Sequence, residues 1–100
     1  MSRLHLNFAC WDYDRTRALA DGTVRVEGVD LNYLNLPVEE TFYRMARFQE
    51  FDVAEMSLSS YCVSLHRPER PFVAIPIFPS RFFRHSCIYV NADAGIREPR

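Results

Sequence analysis

Phe51-Asp52-Val53-Ala54-Glu55-Met56-Ser57-Leu58-Ser59-Ser60-Tyr61 is the stretch on which the fold turns. Phe51 to Met56 reads as a short strand bounded by polar residues. Ser57 then stands where a helix needs an N-cap. The helix is predicted to run through Tyr61 and Leu65 and to stop before Pro68, because the residue ahead of a proline is pushed out of the α region. A strand running directly into a capped helix is the repeating step of a parallel α/β sheet.

The same step recurs upstream. Leu4, Leu6, Phe8 and Cys10 alternate with polar residues and predict a first strand over Leu4 to Cys10. Asp12 is placed to cap a helix running to about Ala20, with Asp14 in its positive first turn and Asp21-Gly22 at its end. A polar ribbon, Thr23 to Glu27, leads through Gly28 into a second strand from about Asp30 to Asn35. Pro37, Glu39 and Glu40 mark the start of another helix. Phe42, Met45 and Ala46 fall at helical spacing and should face the core.

Downstream the pattern weakens. Phe72 to Phe78 is predicted to be a strand, but Pro76 argues for an edge or an irregular end. Ser86 to Val90 is a further candidate strand, and the rest is loop. Strand and helix alternate three times, so the expected fold class is α/β, a mostly parallel sheet flanked by helices.

Composition narrows the function. Hydrophobic residues make up 48% and charged residues 25% of the hundred, which is ordinary for a globular chain. The formal net charge of −1 removes the bulk electrostatic case for nucleic acid or an anionic membrane as partner. No apolar run approaches the roughly 20 residues of a membrane span. The N-terminal residues alternate like a strand and lack the pattern of a signal peptide, so a cytoplasmic location is expected. Cys10, Cys62 and Cys87 are odd in number and widely spaced, which predicts reduced thiols rather than disulfides or a zinc site. All twelve basic residues are arginine, the side chain whose planar fork grips a carboxylate bidentately. No phosphate-cradling glycine loop, nucleophile elbow or zincin motif occurs, so no cofactor and no metal are expected. Self-association into a homo-oligomer is left open.

In an open α/β sheet, ligands bind beyond the carboxyl ends of the strands. That rule selects three places. Glu55 with Ser57, Ser59 and Ser60 brings a carboxylate and three hydroxyls to a strand-to-helix junction, where free amides favour anions. The plainer reading is a capping serine beside an exposed strand-end acid. Trp11, Tyr13 and Asp14 offer an aromatic wall and a hydrogen-bond acceptor after the first strand. Asp12 reads better as a cap. Arg81, Phe82, Arg84 and His85 concentrate guanidiniums, a ring and an imidazole, fit to clamp a carboxylate, stack on an aromatic ligand and move a proton. The plainer reading is an exposed loop with one phenylalanine plugging the core. His5 and His66 are expected to be structural.

Several blocks taken together carry a resemblance. They are Tyr13-Asp14-Arg15-Thr16-Arg17 with Asp21-Gly22, Glu27-Gly28-Val29-Asp30-Leu31, Asp52 to Tyr61, and Phe82-Phe83-Arg84-His85-Ser86 with Ile88-Tyr89-Val90. They resemble the 4,5-dihydroxyphthalate decarboxylase family, which looks like a branch of the type II periplasmic-binding-protein fold. The resemblance implies a bilobal protein with its ligand, a small aromatic carboxylate, in the cleft between lobes. Residues 1–100 would then form the N-terminal part of the first lobe, with the second lobe beyond them. It implies non-oxidative loss of CO2 from a dihydroxylated aromatic dicarboxylate, giving protocatechuate. Such chemistry needs carboxylate anchors, a base for a ring hydroxyl and an acid for the carbon that loses CO2. Glu55 and His85 are the candidate proton carriers, Arg81 and Arg84 the anchors, and Ser57 and Ser59 the orienting groups. The rival reading is the substrate-binding protein of an ABC transporter, which holds a small organic anion without chemistry.

Overall fold

Strand β1 (Leu4–Ala9) is the centre of the molecule. In the computed structural model, which describes residues 2–81 and 89–98, it carries a parallel partner on each side. Strand β2 (Val29–Leu34) pairs along its full length, from Leu4 opposite Val29 to Ala9 opposite Leu34. Gly28, held at φ +75°, turns the chain into β2 and gives its carbonyl to the Leu4 amide at 2.9 Å. Strand β3 (Val53–Ala54) pairs with the other edge of β1, Phe8 opposite Val53 and Ala9 opposite Ala54. The Asp52 and Glu55 amides extend this short ladder, donating to the Asn7 and Ala9 carbonyls at 3.1 Å each. The three strands are mutually parallel, in the order β2-β1-β3.

Helices fill the crossovers: α1 (Arg17–Ala20), α2 (Val38–Phe48) and α3 (Leu58–Ser64). The first crossover steps from β1 to one side, and the second returns past β1 to the other. Helix α1 lies against β2 and α2 against β3. Helix α2 starts at Pro37, whose extended backbone caps it, with Glu39 and Glu40 in the first turn. It ends at Gln49, which turns left-handed at φ 52° and donates its amide to the Met45 carbonyl. Phe42, Met45 and Ala46 are partly buried, as their spacing predicts, although Thr41 beside them is the fully buried residue of the helix. Helix α3 starts at Ser57, whose side chain accepts from the Ser60 amide, as predicted. A 3-10 turn over Ala92–Ala94 is capped by Asn91.

Two expectations are corrected. Asp12 does not cap the first helix and Asp14 does not lie in it. The backbone from Trp11 to Thr16 is spent on tight turns, with Tyr13 donating to the Trp11 carbonyl and Thr16 to that of Tyr13. The helix is therefore delayed to Arg17, with Asp12 pairing to Arg17 at 3.3 Å and Asp14 to Arg15 at 2.9 Å. Second, the predicted strand at Phe72 to Phe78 is absent. Pro76 and the flanking Pro71 and Pro79 lack the amides a ladder requires, and Val73, Ile75, Ile77 and Phe78 lie exposed. Of the strand predicted over Ser86 to Val90, residues 86–88 lie outside the described residues, and Tyr89 and Val90 belong to no strand.

The buried apolar core of the described residues is small: Ala9, Cys10 and Phe51, where the three strands converge. The Arg44 guanidinium covers the Phe51 ring at 4.9 Å. The radius of gyration is 17.5 Å, against about 13 Å for a compact hundred-residue domain. Among the described residues no helix is long and apolar enough to cross a membrane.

Candidate functional site at the strand ends

The strand order fixes where a site can form. The chain leaves β1 toward one side of the sheet and reaches β3 on the other, so the loops after these neighbouring strands diverge. Such a divergence leaves a crevice at the carboxyl ends. Glu55, the residue after β3, reaches across it.

The residue is 8% exposed, and its carboxylate accepts two hydrogen bonds from the β1 loop. The Trp11 amide donates to Oε1 and the Tyr13 hydroxyl to Oε2, both at 2.8 Å. The Glu55 amide, in turn, donates back to Ala9. Glu55 is therefore not the exposed strand-end acid of the plainer reading. It is a buried carboxylate joining two loops, held by neutral donors.

Tyr33, near the end of β2, completes the arrangement from the other side. Its hydroxyl donates to the Trp11 carbonyl and contacts Thr16 Oγ1, both at 2.9 Å. Its ring meets Phe8, its partner in register, edge to face at 5.2 Å. The loop from Trp11 to Thr16 is thus pinned by one residue from each flanking strand. Arg15 ties it to a third segment: its Nε and Nη2 both donate to the Pro79 carbonyl, and its guanidinium lies 5.6 Å from the Tyr13 ring centroid.

Electrostatics follow from this packing. Burial, then the bond to Glu55, pushes the Tyr13 hydroxyl up to about 12, against a weak opposing contact from Ser80. Burial likewise raises Tyr33 to about 12. The Cys10 thiol, buried between them, is also raised, by burial first and then by the Glu55 charge against the pull of Tyr33. Around Glu55, then, Tyr13, Tyr33 and Cys10 are all favoured in their protonated, neutral form.

The serines behave differently. Ser57 Oγ lies 2.7 Å from Ser60 Oγ, accepts the Ser60 amide at 3.1 Å and is 3.3 Å from Ser59 Oγ. Ser59 is exposed and Ser57 and Ser60 are partly buried. This is the capping role of the plainer reading, with hydroxyls still presented at the rim. Trp11 is 42% exposed and can serve as a wall, Asp14 is exposed, and Arg81 is exposed beside Ser80. Phe82, Arg84 and His85 lie outside the described residues.

Two hollows occur elsewhere. One of about 250 Å3 lies near the start of β2, lined by Arg3, Val24, Val26 and Val29 among others. A more open one of about 350 Å3 lies against His5, Asn7, Asp30 and Asn32. Neither touches the strand-end cluster, and their walls lack convergent chemistry. Among the described residues no group of three or more His, Cys, Asp or Glu side chains is placed to hold a metal ion.

Thr16, Tyr33 and Arg15 are the site residues that sequence reading passes over. Tyr33 alone carried a signal, its position at the carboxyl end of a strand.

No protein-family model matches the chain. Among curated proteins it is 48% identical over 99 residues to a 4,5-dihydroxyphthalate decarboxylase of Comamonas testosteroni, covering 99% of this chain and 30% of that protein. It is 44% identical over 96 residues to a 4,5-dihydroxyphthalate decarboxylase of Pseudomonas putida, covering 96% of this chain and 37% of that one. The chain thus spans about a third of the length of the curated relatives it matches. The resemblance carried by the sequence blocks holds along nearly the whole hundred residues, and by sequence this chain is a relative of the 4,5-dihydroxyphthalate decarboxylases.

Proposed function

We propose that this chain forms part of a decarboxylase that converts 4,5-dihydroxyphthalate to protocatechuate and CO2. The single observation that carries this reading is identity of 44% to 48% with two proteins of that name. At such identity over nearly a hundred residues, the strand-end geometry is expected to be shared. The wider expectation belongs to the same proposal: a type II periplasmic-binding-protein-like fold, this chain in its first lobe, the ligand in an interlobe cleft, and a cytoplasmic setting.

The residues divide the work by chemistry. Arg81, exposed at the rim, anchors a ligand carboxylate, with Arg84 as its sequence neighbour in the same role. Trp11 gives the aromatic ring a wall, and Ser57, Ser59 and Ser60 orient ligand oxygens at the start of α3. Asp14 is available to a ligand hydroxyl if it releases Arg15. Glu55 and His85 carry the protons.

One observation favours the rival reading of a solute receptor. Both Glu55 oxygens are already engaged inside the protein, which is what a purely structural carboxylate would show. Incubating the full-length protein with 4,5-dihydroxyphthalate across a range of about two pH units either side of neutral decides between the two. Protocatechuate and CO2 are expected. Binding of the aromatic acid with no product anywhere in that range would overturn the decarboxylase and leave the receptor. In the same protein, Arg81→Lys should weaken dicarboxylate binding about tenfold although the charge is kept, because the bidentate fork is lost. Unchanged affinity by calorimetric titration would return Arg81 to an ordinary exposed loop residue.

A further inference from the structure

Glu55 presents a puzzle for the proposed chemistry. A proton carrier has to reach its ligand, yet this carboxylate is buried and both its oxygens face the protein. Tyr13 resolves it. Its hydroxyl sits on Glu55 Oε2 at 2.8 Å, while the residue itself is only partly buried and lies at the rim with Ser80 beside it. One lone pair of the Tyr13 oxygen remains for a ligand, since that oxygen donates its proton inward.

We propose that Glu55 and Tyr13 act as one proton-transfer unit, with the Tyr13 hydroxyl as the end that touches a ligand phenol and Glu55 as the acceptor behind it. This rests on the decarboxylase reading above. The transfer at the phenol balances within the pair, and the separate proton that replaces CO2 on the ring carbon is drawn from solvent. The ligand O–H bond breaks and its proton joins the Tyr13 oxygen, while the proton already on that oxygen passes to Glu55 Oε2. The ligand becomes a phenolate, whose electron density reaches the ring carbon that is to be protonated. The ring carbon takes one solvent proton as CO2 leaves, so turnover consumes a single proton from solvent. The two transfers then reverse and the ligand oxygen regains its own proton.

Three features of the site suit this role. The Trp11 amide fixes the other Glu55 oxygen, so the carboxylate cannot swing away from Tyr13. No arginine is paired with Glu55 among the described residues, so no cation competes with Tyr13 for the carboxylate oxygens. Burial holds the Tyr13 hydroxyl protonated at rest, which keeps the unit loaded to pass a proton rather than to lose one to solvent. Tyr33 acts at one remove: it holds the Trp11 carbonyl and thereby the loop that bears Tyr13, which makes it a positioning residue.

The test uses the full-length protein with 4,5-dihydroxyphthalate. Tyr13→Phe keeps the ring and removes the relay oxygen, and Glu55→Gln keeps the shape and removes the base. Each should lower kcat by about 10²- to 10⁴-fold with KM within a few-fold of wild type. Because the two act as a unit, the double variant should be little slower than either single one. A merely structural role would instead move the melting temperature and KM and give losses that multiply. Multiplying losses, or kcat within about threefold of wild type in Tyr13→Phe, overturns the relay. Should Tyr13→Phe fail to fold, Glu55→Gln alone decides on the same threshold. A wild-type protein that forms no product overturns the decarboxylase reading and the relay with it. An active wild type with an active Tyr13→Phe overturns the relay only.

Discussion

Glu55 and Ser57 are two residues apart, and the structure uses them in opposite ways. Glu55 is buried, and its carboxylate is satisfied by donors 44 and 42 residues away in sequence. Ser57 is partly buried, and its hydroxyl is satisfied three residues away by the helix it starts. One junction therefore contains a group that depends on the whole fold and a group that depends on a single turn. The difference teaches where damage should spread and where it should stay local.

The largest expected effect is at Glu55. Truncation to alanine leaves the Trp11 amide and Tyr13 hydroxyl facing a void, with two bonds to a charged acceptor lost. Glu55→Ala should cost about 2–4 kcal/mol of folding stability by urea denaturation. A loss below about 1 kcal/mol would mean that water replaces the carboxylate, and the contrast with Ser57 would collapse.

Alkaline pH sharpens the contrast next. Tyr13 and Tyr33 are both raised to about 12 from an ordinary value of 10.0. The folded state favours the neutral phenol, so this stability is fully present below pH 10 and is lost as pH rises from 10 toward 12. Melting temperature should fall across that window, and phenolate absorbance should show two late-titrating tyrosines. Burial leads both shifts, but Glu55 ranks next to it for Tyr13 and last for Tyr33, so Glu55→Gln should bring Tyr13 forward more than Tyr33. Two tyrosines moving together would show that the network titrates as one body.

The smallest effects belong to the serines. Ser57→Ala removes the cap of α3 and should cost about 1 kcal/mol. Ser59→Ala, at an exposed site, should stay within about 0.5 kcal/mol. Equal losses at the two positions would show that the hydroxyls form a single structural unit rather than a cap and a bystander.

The same distinction explains what could be read from the sequence. The Ser57 cap was legible because both partners lie within one turn. Strands β1 and β2 were legible because side-chain alternation is a local pattern, and three strands separated by helical segments permit little else than parallel pairing. The Asp12 cap failed because a local signal lost to a distant one: the backbone around Trp11 answers to Glu55 and Tyr33. The strand at Phe72 to Phe78 failed for a related reason. Apolar, β-branched residues describe what a strand buries, but a strand also needs amides and a partner, and three prolines remove the first. The site residues after β1 and β3 were found by rule of topology. Their bonding was not, because nothing in the chain between residues 13 and 55 announces that the two will meet.

The pairing offsets also set an order of assembly. Strand β1 finds β2 across 25 positions and gains six paired residues, whereas it finds β3 across 45 and gains two. Closing the longer loop costs only about 0.5 kcal/mol more, so yield rather than distance separates the two events. All six β1–β2 pairs become available once Leu34 has left the ribosome, whereas Phe51 of the core comes later. The Glu55 clasp must wait for a further 21 residues and then for a sheet edge already in place to receive it. The residue on which the proposed chemistry turns thus depends on the longest-range pairing of the sheet, and its two donors wait in the loop after β1 for a partner synthesised 44 and 42 residues later.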